Sequence, residues 1–163
     1  MIRQLLCFLL FLGLMGCQQQ SPEIRMLGNR IDSLEQQLTQ TYQPGFGEFM
    51  SRIQAHHMKL WFAGQYGNWD LADFEIHEIL ETVQDIQSYE TEREESKEIG
   101  IVLPAIDSVS IAIKQQDPEL FRQQFTLLTN TCNACHELTH FAFNVVKTPT
   151  SSPFSNQDFS GRH

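Results

Sequence analysis

Apolar residues recur along the chain at helical spacing and nowhere in sustained alternation, so helices are predicted and a sheet is not. Ile24, Leu27, Ile31, Leu34 and Leu38 follow one another at steps of three and four, an a/d heptad pattern lasting barely two and a half repeats. Gly28 weakens this helix, which suits either a small oligomerising stalk or a helix packed on its own domain. Gln43-Pro44-Gly45 breaks it. A second stripe then runs through Phe46, Phe49, Met50, Ile53, His57, Leu60, Trp61 and Gly64, and that helix is expected to end in Gly64-Gln65-Tyr66-Gly67. Asn68 caps the next helix, with Asp70 in its first turn. Trp69, Ala72, Ile76, Ile79, Val83 and Ile86 form its inward stripe, opposite an acidic face.

Residues 90–98 are charged and poor in apolar side chains, which reads as a solvated connection without chemistry. Val102, Leu103, Ile106, Val109 and Ile113 mark another helix, which Pro104 either opens or kinks. Asp117-Pro118-Glu119 supplies cap, first-turn proline and acid for the last helix, whose stripe is Phe121, Phe125, Leu128, Cys132, Cys135 and Thr139. Beyond Phe143 the pattern dissolves into a tail that Pro149, Phe154 and Phe159 could hold against the domain. The expected fold is all-α: a four-helix up-down-up-down bundle over residues 44–146, preceded by the heptad helix within 17–43 and followed by a tail over 147–163.

The last helix carries the chemistry. Cys132-Asn133-Ala134-Cys135-His136 reads C-x-x-C-H, the attachment signature of c-type haem. On a helix the two sulfurs share a face and can each form a thioether to a haem vinyl, while His136 can reach the iron as proximal ligand. A structural zinc site would want a second ligand pair, and the chain has no other C-x-x-C. A thioredoxin-like motif belongs to a βαβ context that the flanking helices do not supply. Aromatic residues Phe46, Phe49, Trp61, Phe121 and Phe125 would pack a core with or without haem.

The N-terminus points to export. Arg3 precedes an apolar block over residues 5–14, and Leu14-Met15-Gly16-Cys17 resembles a bacterial lipobox. Residues 1–16 are then a signal peptide too short to span a membrane, Cys17 is lipidated, and 147 of the 163 residues remain. Cys7 leaves with the signal, so Cys17, Cys132 and Cys135 are all accounted for and no disulfide framework is expected. The mature chain retains 10 basic against 20 acidic residues, which argues against nucleic acid as a partner. The expected location is the periplasmic side of a bacterial membrane. Gln18, in place of Asp, leans toward the outer membrane of a Gram-negative cell. Expected partners are that membrane, a periplasmic redox protein and, through residues 24–38, a second copy.

A bundle with C-x-x-C-H late in its last helix resembles the cytochrome c′ family over roughly residues 45–143. The resemblance implies haem inside a four-helix bundle. The stretch His57-Met58-Lys59-Leu60-Trp61-Phe62-Ala63-Gly64, with Asn68-Trp69, Leu71-Ala72 and a segment like Pro153-Phe154-Ser155-Asn156-Gln157-Asp158-Phe159, is similar to a further group of bacterial bundle cytochromes. In cytochrome c′ the distal turn usually presents an apolar or methionine side chain and the iron is often five-coordinate. Here that turn reads Gln54-Ala55-His56-His57-Met58, so a sixth ligand is available.

His57 shares the inward stripe and is the expected distal ligand, with His56 the alternative because helix phase is uncertain by one residue. Met50 and Met58 are weaker candidates for that position, since methionine on such a stripe is more often core filler. His140, one turn beyond His136 on the same helix, stays on the proximal side; His77 reads as a surface residue and His163 as terminal. A filled sixth position suits an electron carrier with no catalytic residues. An open or displaceable one suits binding or sensing of NO or CO, and a peroxidase would need a distal acid/base beside open iron.

Overall fold

The computed structural model describes residues 21–39 and 44–161, which form six α-helices and one 3₁₀ turn and contain no strand. These are α1 (Pro22–Thr39), α2 (Phe46–Gln65), α3 (Trp69–Tyr89), α4 (Glu94–Glu98), the 3₁₀ turn Ile99–Val102, α5 (Leu103–Gln115) and α6 (Pro118–Leu138). Residues 1–42 and 43–163 are two separate compact units. Cys7, the signal peptide, the lipobox, Cys17 and His163 lie outside the described residues. None of the described helices is long and apolar enough to cross a membrane. In its own unit α1 is helical as the heptad pattern predicts, with Ile24, Leu27, Ile31, Leu34 and Leu38 exposed.

In the second unit α2, α3, α5 and α6 pack in ring order, and α6 closes back on α2. Their starts follow the expected signals. Asn68 Oδ1 accepts from the Leu71 N–H at 3.2 Å, Asp117 Oδ1 accepts from Glu119 and Leu120 at 2.9 and 3.0 Å, and Pro104 sits in the first turn of α5. Three helix ends share one device. Asn68 N–H reaches Ala63 O, Asp117 N–H reaches Ala112 O and Phe141 N–H reaches His136 O, each across a residue with positive φ: Gly67 at 70°, Gln116 at 53° and His140 at 67°.

The core fills with the expected stripes, among them Phe49, Leu60, Ile76, Ile86, Ile106, Phe121 and Phe125. Three expectations need correction. Residues 90–98 are not wholly solvated: Glu94 and Glu95 favour a helix start, Lys97 its end, and α4 and the 3₁₀ turn bury Ser96, Ile99 and Val102. The acidic face of α3 is interrupted, since Glu75 is buried against α2 through His56. α6 stops at Leu138, so His140 is not one helical turn beyond His136. α2 ends at Gln65, within the expected Gly64-Gln65-Tyr66-Gly67 stretch, and Gly64 itself serves packing: a Cβ there would sit 2.2 Å from the Phe121 ring. The tail does return: Phe159 is buried beside Phe62 at 5.6 Å, and its carbonyl accepts from Asn68 Nδ2 at 3.2 Å.

Gly64→Ala sets two magnitudes against each other. Alanine improves helix propensity by about 1 kcal/mol, but overpacking against a fully buried ring costs roughly 1–3 kcal/mol. Phe121 is also held by Trp61, Trp69 and Phe125, so it has little room to yield. The expected outcome is a net loss of about 1–2 kcal/mol in urea unfolding. A stabilised variant would mean that the α2–α6 contact is looser than this packing.

Candidate functional site

A cavity of about 430 Å³ lies where the C-terminal half of α6 meets the first turns of α2. Phe46, Met50 and Ile53 of α2, Ile79 and Val83 of α3, Ile99 and Val102 of the 3₁₀ turn and Leu128 of α6 make its apolar wall. This is the size and lining of a small-molecule or cofactor site. Cys132, Cys135, His136 and His57 all line it, so the structure brings together four of the residues singled out from sequence.

Both cysteines are free thiols. Burial pushes the Cys132 thiol up to about 12, and burial followed by the charge of Glu98 raises Cys135 as well. They are therefore neutral near pH 7. Neutral thiols beside an apolar cavity fit addition to a vinyl group. Thiol exchange, which needs thiolate, is disfavoured by the same burial. Among the described residues no cluster of three or more His, Cys, Asp or Glu side chains is arranged to hold a metal ion.

His136 owes its orientation to the way α6 ends. The chain reverses at Thr139-His140, and the following segment runs back along the helix. Asn133, inside the C-x-x-C-H motif, clamps that segment: its Nδ2 donates to Val146 O at 2.9 Å and its Oδ1 accepts from Val146 N–H at 2.8 Å. The clamp presents the Asn144 carbonyl to His136 Nδ1 at 2.6 Å. A carbonyl can only accept, so the proton sits on Nδ1 and Nε2 keeps its lone pair. This is the second-shell contact that metal-ligating histidines usually make.

His57 of α2 is buried, its ring 4.4 Å from that of Phe125. Its Nε2 is 2.9 Å from Thr129 Oγ1. The Thr129 hydroxyl spends its proton on Phe125 O at 2.9 Å, so His57 Nε2 is the donor and Nδ1 holds the lone pair. Burial lowers its pKa to about 4, leaving a neutral imidazole. His56 has the opposite fate. It does not line the cavity but faces α3, with Nδ1 2.6 Å from the buried Glu75 and Nε2 3.7 Å from Glu78. Packing thus separates the two candidates and turns His56 away from the site. Met50 lines the cavity and Met58 does not. His77 is exposed, as expected, with Nδ1 donating to Asp73 O at 2.6 Å.

Two contributors escaped the sequence reading. Arg93 and Glu95, in the run expected to lack chemistry, line the cavity as an ion pair at 2.7 Å, and the guanidinium lies 5.0 Å from the Phe46 ring centroid. The hydrogen bond to Glu95 holds the guanidinium pKa above its usual value, and the same bond lowers the Glu95 carboxyl. Segment 144–146 is the other, and only the paired donor and acceptor of Asn133 within the motif hinted at it. No family model, curated protein or solved structure matches the chain.

The neutral His57 has a consequence for stability. Its pKa is lowered in the fold, so its contribution is complete above the unfolded value near 6.5 and disappears as pH falls toward about 4. The expected loss across that window is about 3 kcal/mol. Urea titrations from pH 7 to 4 should show this decline, and His57→Leu should flatten it. An equal decline in the variant would assign the acid sensitivity to other groups.

Proposed function

We propose that this chain is a monohaem c-type cytochrome, a four-helix up-down-up-down bundle tethered by lipid on the periplasmic side of a bacterial membrane, and that it carries electrons. One observation carries the reading. His136 of C-x-x-C-H donates Nδ1–H to the Asn144 carbonyl, which makes Nε2 the ligating nitrogen of the neutral ring, and it lines a cavity that Cys132 and Cys135 also line. Cys132 and Cys135 would hold the haem through thioethers and His136 would hold its iron. Bound haem supplies one-electron exchange between ferric and ferrous iron. The chain's own side chains exclude water through the apolar wall. At the rim Arg93, the one Lys or Arg among the described residues lining the cavity, offers a cation to the haem propionates in exchange for Glu95.

The tether rests on the sequence before Cys17, and the outer membrane is favoured by Gln18. Expressed in a Gram-negative host with c-type maturation, the protein should be red, membrane-bound and heavier by one haem. Cys17→Ser should move the colour to the soluble fraction, and Cys132→Ser with Cys135→Ser should give a colourless and less stable chain. A mature chain without haem mass defeats the cytochrome reading. Unchanged fractionation of Cys17→Ser defeats the tether alone.

The distal side admits two readings. Neutral, buried His57 is suited to be the sixth iron ligand. Bis-histidine ligation holds a lower potential than a histidine–methionine pair and suits a carrier. The specific observation on the other side is that His57 Nε2 is engaged by Thr129, a bond worth about 1 kcal/mol that ligation through Nε2 would have to break. If that bond persists and Nδ1, which holds the lone pair, does not ligate in its place, the iron would be five-coordinate and open to NO or CO. A low-spin spectrum indifferent to CO, becoming high-spin and CO-reactive in His57→Ala, is the expected result. Ready CO binding by the unmodified protein would establish the gas-binding reading instead.

A further inference from the structure

Five apolar side chains of α1 form one stripe, Ile24, Leu27, Ile31, Leu34 and Leu38, each more than half exposed; Met26 is exposed outside it. Their spacing puts Ile24, Ile31 and Leu38 at heptad position a, and Leu27 and Leu34 at d. A β-branched residue at a with leucine at d favours two parallel strands. The flanking charges agree. Arg30 falls at g and Glu35, five residues on, at e of the next heptad. In a parallel, in-register pair g of one helix meets that e of the other, so opposite charges face each other on both sides of the seam. In an antiparallel pair g lies against g and e against e, and the two would not meet.

A lipid surface is a poorer match for this stripe. A membrane-surface helix carries an excess of Lys and Arg on its polar face, whereas α1 sets Arg25 and Arg30 against Glu23, Asp32 and Glu35. An isolated helix of 18 residues containing Gly28 is also marginal by itself, so a partner for the stripe stabilises it.

We propose that α1 is a dimerisation element: two copies of Pro22–Thr39 pair in parallel and in register, with Arg30 of each copy against Glu35 of the other. The pairing does not depend on haem or on the distal ligand.

The test is density-matched sedimentation equilibrium of the purified full chain in non-ionic detergent, read at 280 nm so that it does not depend on haem content. A concentration-dependent monomer–dimer equilibrium is expected. Arg30→Glu and Glu35→Arg should each weaken the dimer roughly tenfold, because two attractions become two repulsions, and combining both changes should restore it. Gly28→Ala should tighten the dimer by roughly 30-fold, since both helices gain propensity. A chain that is monomeric throughout, one that forms trimers or larger assemblies, or a dimer indifferent to the charge changes and to Ile31→Asp overturns the proposal. Haem content that stays constant across these variants keeps this outcome separate from that of the cytochrome reading.

Discussion

The bond from His136 Nδ1–H to the Asn144 carbonyl is the constraint on which the site depends. It exists because α6 stops. Had the helix continued, residue 144 would lie about 12 Å further along the axis from residue 136, out of reach of its side chain. The reversal at Thr139-His140 folds the chain back instead, and Asn133 ties it down with a donor and an acceptor at once. A residue between the two motif cysteines thereby sets the tautomer of the motif histidine, through a backbone carbonyl that no side-chain substitution at 144 can remove.

Adjacent residues on α2 illustrate how packing, not residue type, assigns chemistry. His56 and His57 differ by about 100° around the helix. One turns to α3 and stands between two carboxylates, so it is hydrogen-bonded and spent. The other turns inward among Phe125 and Thr129, loses its proton affinity to burial, and becomes a neutral donor set with a free lone pair. Only the second environment suits a ligand. Breaking the first would leave Glu75 as a buried unpaired carboxylate, which is among the more costly defects a core can carry.

Much of this was legible because apolar periodicity and start signals are local. The stripes of α2, α3, α5 and α6 and the caps at Asn68 and Asp117 are determined by residues within a turn or two of where they act. The ends were less legible. Gly67 announces its positive φ, but Gln116 and His140 adopt the same conformation without being glycine; the end of α5 is marked only by the cap at Asp117 that follows it, and the end of α6 carries no such mark. Gly64 could be placed on the inward stripe, but that a ring presses against it is visible only once Phe121 is in place. The burial of Glu75, the part played by Arg93 and the Asn133–Val146 pair all depend on contacts between distant segments. Periodicity does not encode those.

The polar groups facing the cavity follow one rule that bears on the proposed redox chemistry. Inside, the thiols and His57 are neutral because burial opposes their charged forms; at the rim, charge appears only as the Arg93–Glu95 pair. In so apolar a setting a unit change of charge on an iron centre is weakly screened, because the interaction scales inversely with the effective dielectric constant. Low-dielectric walls disfavour the more charged oxidised centre and raise its potential. Were haem held there, the proton kept on His136 Nδ1 by a carbonyl would make that ligand more basic and lower the potential, as would a second imidazole. The potential of such a site would be a balance between its wall and its ligands. The rim pair would be the adjustable part, since a propionate taking the place of Glu95 at Arg93 would change the charge at the rim and leave the apolar wall as it is.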